Sequence, residues 1–138
     1  MNKIFIDTDV CLDLLAKREP HYLYAATLFT LADKGELKLF VSSLSFSNLN
    51  YLLSRQYSMA EARRILSKFK VLVQVLPVDD KVIELALNSK FKDFEDAIQY
   101  FTAIESGVTI LLTRNIRDYK KAEIPVQTPE LYVQTREK

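Results

Sequence analysis

The amino-acid sequence predicts an α/β fold: a central parallel sheet of four to five strands, with helices on both faces. Two observations lead to this fold class. Short apolar runs rich in β-branched residues recur along the chain, and segments with apolar residues at helical spacing separate them through short connections. The length of 138 residues suits one compact core, so residues 1–138 are predicted to form a single domain.

The composition narrows the class of protein further. With 49% hydrophobic and 27% charged residues, the chain can bury enough apolar surface to fold, which argues against intrinsic disorder. Its one cysteine, Cys11, excludes an intramolecular disulfide and a cysteine-based zinc site, and favours a cytoplasmic location. We expect neither a secretory signal nor a membrane-spanning helix, because Asp7 follows only three apolar residues and charges interrupt every longer apolar run. The formal charge of +1 neither favours nor excludes a nucleic-acid partner.

The first elements are a strand at 3–6 and a short helix. The strand is apolar and ends abruptly in Asp7, Thr8 and Asp9, whose side chains can accept hydrogen bonds from the free N–H groups of a first helical turn. The helix that follows is expected to stop near Pro20.

A longer helix is predicted from Pro20, with the proline in its first turn, and Gly35 ends it. Residues 38–41 form the second strand. Ser42 or Ser43 caps the next helix, and Ser58 caps the one after it.

Residues 71–76 are predicted to form a central or near-central parallel strand. This run alternates too little for a strand with one face in water, and Pro77 closes it. The remaining elements are a helix capped by Asp79 or Asp80, a helix from Phe94 that Gly107 ends, a fourth strand at 108–112, and a short edge strand at 124–126.

Polar residues follow three of the predicted strands and open the helix before the fourth. Ligands of an open α/β sheet bind beyond the carboxyl ends of its strands, so these residues are the candidates for a functional site. They are Asp7, Thr8 and Asp9 after the first strand; Ser42, Ser43 and Asn48 after the second; Asp93, Glu95 and Asp96 at the start of the helix; and Thr113, Arg114, Asn115 and Asp118 after the fourth strand.

This collection of acids predicts a divalent metal ion. Carboxylates gathered at the edge of the sheet formed by the carboxyl ends of the strands, here called the rim, repel one another. Each then has a raised pKa unless a cation neutralises the site. Hard oxygen ligands suit Mg²⁺ or Mn²⁺, which retain water and accept substrate phosphate oxygens. Such an ion can activate water for attack on a phosphodiester.

Each acid also has a purely structural interpretation. Asp7 and Asp9 could cap the first helix, Asp96 could interact with the dipole of its own helix, and Asp118 could be a turn residue. Glu95 lies on the polar flank of its helix, where it is expected to be solvated or to support the other site residues.

Taken in order, the polar segments resemble the PIN-domain family, and in particular the VapC-type toxins of bacterial toxin–antitoxin modules. The segments that carry the resemblance are Ile4 to Val10, Val41 to Ser45, Asp93 to Gln99, and Leu111 to Tyr119. The resemblance implies a ribonuclease that depends on Mg²⁺ or Mn²⁺, acts on RNA and is held in check by a small antitoxin protein.

Carried over residue by residue, the resemblance gives catalytic roles to Asp7, Asp96 and Asp118, and metal ligation to Asp7 and Asp96. The supporting polar positions are Thr8, Asp9, Asn48, Glu95, Thr113 and Asn115. Two positions depart from the family pattern, because its usual glutamate in the middle helix falls at Asn48 and its usual acid after the fourth strand falls at Asn115. An amide oxygen can ligate a hard metal ion but supplies no charge, so the ion should be held less tightly.

Basic and aromatic residues indicate the partners. Arg114, Arg117, Lys120 and Lys121 follow the fourth strand and are the candidates for binding RNA phosphates, although a solvated basic turn would have the same composition. Tyrosines at 22, 24, 51 and 57 could contact the antitoxin or a second copy of the chain, or could pack in the core.

Two other functions fit part of the pattern. Asn48 and Asn115 favour a catalytically weakened or inactive PIN-like domain that binds RNA or a protein partner. A phosphoacceptor receiver domain also gathers acids at strand ends, but Ile124 stands where a lysine would be expected before the edge proline. Metal-dependent cleavage of RNA separates the enzyme from the binding module.

Overall fold

The computed structural model describes residues 2–136, whose strands form one parallel sheet. The strands are β1 (Asn2–Ile6), β2 (Leu37–Ser42), β3 (Gln74–Leu76), β4 (Ile110–Leu112) and β5 (Val126–Gln127). The helices are α1 (Thr8–Leu15), α2 (Tyr22–Asp33), α3 (Ser43–Gln56), α4 (Met59–Lys70), α5 (Asp80–Leu87), α6 (Phe94–Glu105) and α7 (Pro129–Arg136), and a 3₁₀ helix spans Ile116–Tyr119.

The order of the strands places a crevice beside β1. Across the sheet the order is β3-β2-β1-β4-β5, and all the neighbouring strands pair in parallel. From β1 the chain first builds the sheet in one direction, through β2 and β3, and then crosses back to add β4 and β5 on the other side. The carboxyl ends of β1 and β4 therefore flank the point where the order reverses, which is where open α/β sheets bind ligands. The predicted fold class is confirmed.

The two faces of the sheet have different coverings. Ile4 and Ile6 of β1 pack into a large core formed with α1, α2, α3, α4 and α7. Phe5, between them, faces the other side and packs with Tyr100 and Ala103 of α6. Helix α5 then packs on α6 in a smaller cluster. Because successive side chains of a strand point to opposite faces, a continuous apolar strand must be covered twice.

The helix caps predicted at Asp7, Ser42, Ser58 and Asp79 are confirmed, because each side chain accepts a hydrogen bond from a backbone N–H in the first turn of the helix that follows. Asp93, which was not predicted as a cap, does the same for α6. Gly35, at φ 79°, ends α2 as expected, because its left-handed backbone lets the N–H of Glu36 reach the Leu31 carbonyl at 2.9 Å. Within residues 2–136, the structure contains no helix with the length and hydrophobicity needed to cross a membrane.

The prediction of a central strand at 71–76 is wrong in both length and position. Strand β3 has only the residues Gln74–Leu76 and lies at the edge of the sheet, paired with β2 alone. The N–H groups of Val71 and Leu72 instead bond to carbonyls of α4, and Val71 is 85% exposed. The apolar run is divided between a helix end and an edge strand, a division that hydrophobicity alone does not reveal.

Smaller differences concern the boundaries of elements. Pro20 precedes α2 and is not part of its first turn. Val108 lies before β4, because its N–H closes the end of α6 on the Ala103 carbonyl. The edge strand expected at 124–126 begins at Val126, and neither α7 nor the 3₁₀ helix was predicted.

Candidate active site

Asp7 lies at the carboxyl end of β1, beside the end of β4, where the order of the strands reverses. Its side chain is 7% exposed, and both carboxylate oxygens are hydrogen-bonded. Oδ1 accepts from the Thr8 backbone N–H (2.8 Å) and from Gln99 Nε2 (3.4 Å), while Oδ2 accepts from the hydroxyls of Thr113 (2.9 Å) and Tyr119 (3.0 Å). Burial raises the pKa of Asp7, and these hydrogen bonds oppose the rise. The carboxylate is therefore held in one orientation at the strand end.

Gln99 links Asp7 to the beginning of α3. The amide is 3% exposed, and its Nε2 donates to the hydroxyls of Ser45 (2.8 Å) and Thr8 (3.1 Å) as well as to Asp7. Its Oε1 accepts from the Ser42 hydroxyl. This buried network joins the carboxyl ends of β1 and β2 to α6, and each of its polar groups finds a partner.

Asp9 lies one helical residue beyond Thr8 and faces the end of β4. Its Oδ2 accepts from the Arg114 backbone N–H (3.0 Å), from Asn115 Nδ2 (3.1 Å) and from the Thr113 hydroxyl (3.3 Å). Its Oδ1 is buried and, among residues 2–136, has no hydrogen-bond partner. Burial and the charge of Asp7 raise the pKa of Asp9 to about 7.

Asp96 lies in the first turn of α6 and lines an open cavity of about 290 Å³ together with Asp93 and Asp118. Partial burial is the largest cause that raises the pKa of Asp96 to about 7, followed by the charges of Asp93, Asp7, Asp118 and Glu95. Electrostatic repulsion of this kind requires that the carboxylates lie near one another. The fold thus brings Asp96 and Asp118 to one cavity, and the charge of the buried Asp7 also acts on Asp96.

Arg114 has a role in the structure that its basic neighbours lack. Its guanidinium forms a bidentate ion pair with Asp13 of α1, at 2.7 and 3.2 Å. Asp13 is 1% exposed and the Arg114 side chain is 29% exposed, so the pair is largely withdrawn from water. Arg117, Lys120 and Lys121 remain exposed on the turn that follows β4.

Two of the predicted supporting residues are not connected to Asp7 by hydrogen bonds. Asn48 is half-buried on α3, one helical turn beyond Ser45, and no hydrogen bond joins its amide to residues 2–136. Glu95 is exposed and acts on the site through its charge on Asp96.

Sequence reasoning missed four residues that hold the site together: Asp13, Ser45, Gln99 and Tyr119. Ser45 was recognised only as part of a capping segment. Gln99 offered the clearest signal, because it is an amide in the middle of the apolar face of a helix, and a buried amide requires hydrogen-bond partners. Tyr119 gave no comparable signal, since the 3₁₀ helix that aims it at Asp7 was not predicted.

The oxygen atoms at this rim meet the needs of a weakly held divalent ion. Across residues 2–136, no three His, Cys, Asp or Glu side chains are grouped so as to enclose a metal ion. Asp9 Oδ1 is nevertheless buried without a partner in the described residues, and neighbouring acids raise the pKa of Asp96, so a cation at the rim would stabilise both carboxylates. These residues fit an ion held by one or two carboxylates, with water or substrate phosphate in the other positions, as Mg²⁺ is commonly bound.

Comparisons with known proteins agree with this geometry. Ribonuclease VapC1 from Aquifex aeolicus is 28% identical over an alignment of 136 positions, and the alignment covers 93% of this chain and 91% of that protein. VapBC2 from Rickettsia felis, in a crystal structure with a DNA fragment from its promoter, has a TM-score of 0.71 at 17% identity, covering 91% of this chain and 98% of that one. VapC20 from Mycobacterium tuberculosis, a sarcin–ricin loop cleaving toxin, has a TM-score of 0.62 at 17% identity, covering 78% and 86%.

At 17% identity, the likeness to these two solved structures establishes a shared fold. The family follows from the sequence itself, because the PIN domain model matches residues 3–117, which include β1, β4 and every polar segment between them. The chain belongs to the PIN domain family.

Proposed function

We propose that this protein is a metal-dependent ribonuclease that hydrolyses phosphodiester bonds of RNA, and that it is the toxin of a toxin–antitoxin pair. One observation carries the proposal: Asp7 is fixed at the reversal point of the sheet, within the electrostatic reach of Asp96 beside an open cavity. The likeness to Ribonuclease VapC1 over 93% of the chain supports the same activity.

In this proposal the acids at the rim have different roles in hydrolysis. Asp7 and Asp96 would hold the Mg²⁺ or Mn²⁺ ion, directly or through water. When bound, the ion supplies an activated water and neutralises the charge that develops on the phosphoryl group. Thr113, Gln99 and Tyr119 keep the Asp7 carboxylate in place. Asp118 lines the cavity next to Asp96, where its carboxylate can accept a proton during hydrolysis.

A second candidate function is a PIN-like module that binds RNA or protein with little or no turnover. Asn115 favours it, because its Nδ2 donates to Asp9, an arrangement in which the amide adds no negative charge to the rim. Asn48 likewise supplies no charge. Such a site needs a higher metal concentration than one with a full set of carboxylates.

Cleavage of an RNA panel decides between the two functions. The purified protein is incubated with structured and unstructured RNAs in Mn²⁺ or Mg²⁺, with a parallel reaction in EDTA. The ribonuclease proposal expects cleavage that EDTA abolishes. Binding of RNA in Ca²⁺ without cleavage in either Mn²⁺ or Mg²⁺ would favour the binding module.

The replacement Asp96→Asn tests the electrostatics of the rim. Because the pKa of Asp96 rises from 3.8 to about 7 on folding, the folded chain binds more protons than the unfolded chain between these values. Stability should therefore fall as the pH rises through this window. We expect Asp96→Asn to raise Tm by about 2–5 °C at pH 8 in EDTA, a modest gain because the carboxyl is half-exposed, and to leave Tm unchanged near pH 4.

The same variant reports on the metal without measuring activity. Mn²⁺ binds the folded wild type and should raise its Tm at pH 8, while Asp96→Asn should respond less. Asp33→Asn, which removes an exposed carboxylate at the end of α2, is the matched control and should behave as the wild type. Equal responses of all three proteins to Mn²⁺ would remove Asp96 from the metal site.

The replacement Arg117→Gln/Lys120→Gln tests the exposed turn after β4 that carries Arg117, Lys120 and Lys121, here called the basic turn. If both residues contact RNA phosphates, the variant should bind unrelated RNAs more weakly, and the slope of log affinity against log salt should fall by about 1.4, since a single strand loses about 0.7 per contact. The measurement is fluorescence anisotropy with RNA in Ca²⁺, which suppresses cleavage. Titration lines that coincide with those of the wild type would leave the turn without a role in RNA binding.

The proposed partner is a small antitoxin protein. Structural neighbours include VapBC complexes of toxin and antitoxin, among them one from Salmonella typhimurium bound to DNA. Co-purification from the native host should yield a small protein in stoichiometric amount. A homodimer and the cytoplasmic location stay predictions, which sedimentation and fractionation test.

A further inference from the structure

A second group of lysines lines the Asp96 cavity together with the basic turn. Lys90 and Lys92 lie in the connection between α5 and α6, residues 88–93, and they line the same cavity as Arg117 and Lys120. Two segments that are far apart in the sequence, the 88–93 connection and the basic turn, therefore supply the cations of the lining and are called here its two walls. The sequence pattern placed cations on only one of these walls, because 88–93 is far from the basic turn along the chain.

The 88–93 connection is anchored by Phe91. The Phe91 ring packs against the rings of Tyr100 and Tyr119, with centroid distances of 5.1 and 6.2 Å. Lys90 and Lys92, on either side of this half-buried ring, are both exposed. The inward position of Phe91 thus leaves its two neighbours outside the core, where they border the cavity.

The contact between Phe91 and Tyr119 also fixes the spacing of the two walls. Tyr119 belongs to the 3₁₀ helix of the basic turn, and its hydroxyl donates to Asp7 at 3.0 Å. The contact between Phe91 and Tyr119 therefore joins the 88–93 connection to the basic turn, and the Tyr119 hydroxyl joins the basic turn to the buried Asp7 carboxylate. A strand bound between the walls would lie beside Asp96.

The cations of both walls are available to a ligand. Lys90, Lys92, Arg117, Lys120 and Lys121 outnumber the cavity's acids Asp93, Asp96 and Asp118. In the part of the chain that the structure describes, none of these cations belongs to an ion pair. Arg114, by contrast, is engaged by Asp13. Unpaired cations are the ones that release counterions when they bind phosphates.

We propose that Lys90 and Lys92 bind the RNA backbone at this cavity together with the basic turn, so that the two walls hold the phosphates on either side of the cleaved bond. The proposal rests on the proposed ribonuclease function and extends its RNA contacts to the 88–93 connection. The cavity volume of about 290 Å³ is close to the lower end of ligand sites, at about 300 Å³, and suits a short stretch of one backbone.

The test is RNA binding by Lys90→Gln/Lys92→Gln. A fluorescein-labelled 12-nucleotide RNA is titrated in Ca²⁺ at several salt concentrations, and the control is Lys34→Gln/Lys70→Gln. Lys34 and Lys70 end α2 and α4, directly before β2 and β3, so they lie at the opposite edge of the sheet. Both variants remove two positive charges, so a difference between their RNA affinities cannot come from net charge.

We expect Lys90→Gln/Lys92→Gln to raise Kd about 10-fold and to lower the salt slope by about 1.4, because two phosphate contacts are lost. The control should change Kd less than about twofold. Circular dichroism should show equal Tm for both, since the replaced side chains are exposed.

The outcomes separate this inference from the proposed function. A wild type that cleaves and binds RNA, with a Lys90→Gln/Lys92→Gln variant that matches the control, would overturn the role of the 88–93 connection alone. A wild type that neither binds nor cleaves RNA would overturn the proposed function and this inference together.

Discussion

Asp7→Asn is expected to lower RNA cleavage by about 1,000-fold or more while the protein stays folded. The replacement removes the buried charge that would hold the metal ion and keeps nearly the same volume. The hydrogen bonds permit it, because the new Nδ2 can face the hydroxyls of Thr113 and Tyr119, which can rotate to accept. The new Oδ1 can still accept from the Thr8 N–H and from Gln99.

Cleavage rates of wild type and Asp7→Asn in Mn²⁺ check this prediction, with Tm from circular dichroism as the measure of folding. Asp33→Asn, the exposed acid of α2, controls for the loss of one negative charge and should retain full activity. The preparation must be free of contaminating nucleases, which the variant itself reveals. Full activity in a folded Asp7→Asn protein would exclude Asp7 as the central catalytic acid.

The largest expected effect on stability follows Arg114→Ala. This replacement leaves Asp13, which is 1% exposed, as a buried carboxylate without its ion-pair partner. Removing one member of a buried ion pair costs about 3–5 kcal/mol, and we expect the lower end because Arg114 is partly exposed. The loss of about 3 kcal/mol should lower Tm by about 10 °C in a chain of this length.

Denaturant unfolding of Arg114→Ala and Arg117→Ala provides the comparison. Arg117 lies three residues away on the exposed turn, so its replacement should change the free energy of unfolding by less than about 0.5 kcal/mol. The double replacement Asp13→Ala/Arg114→Ala should be more stable than Arg114→Ala, because no buried charge is left unpaired. If Arg114→Ala and Arg117→Ala were equally stable, the ion pair would have no structural role.

The Arg114 result also bears on RNA binding. The sequence groups Arg114 with Arg117, Lys120 and Lys121 as one basic segment, but the structure engages its guanidinium with Asp13. Because Arg114→Ala is expected to destabilise the fold, a loss of RNA affinity in this variant would have to be corrected for the fraction of protein that is unfolded. Arg117→Gln/Lys120→Gln does not need it, because both side chains are exposed.

The sequence by itself determined the fold class, the caps and the strand ends at which the acids lie. Hydrophobic periodicity and capping side chains are local signals, so β1, β2, α4 and α6 could be placed from the residues alone. The same signals failed at 71–76, because an apolar run does not reveal how many neighbours a strand will have. The position of β3 at the sheet edge depends on its pairing with β2, a contact between distant segments.

The candidate site shows the same division. The residue types and their order made Asp7, Asp96 and Asp118 the candidate acids, because ligands of an open α/β sheet bind at the carboxyl ends of its strands. The tertiary structure alone decided which side chains hold Asp7, since Gln99 and Tyr119 are 92 and 112 residues away from it in the sequence. It also decided that Arg114 pairs with Asp13, while Lys90 and Lys92 line the same cavity as Arg117 and Lys120. Hydrogen bonds and charge interactions act over a few ångströms, so they follow from how the chain is folded and not from its order.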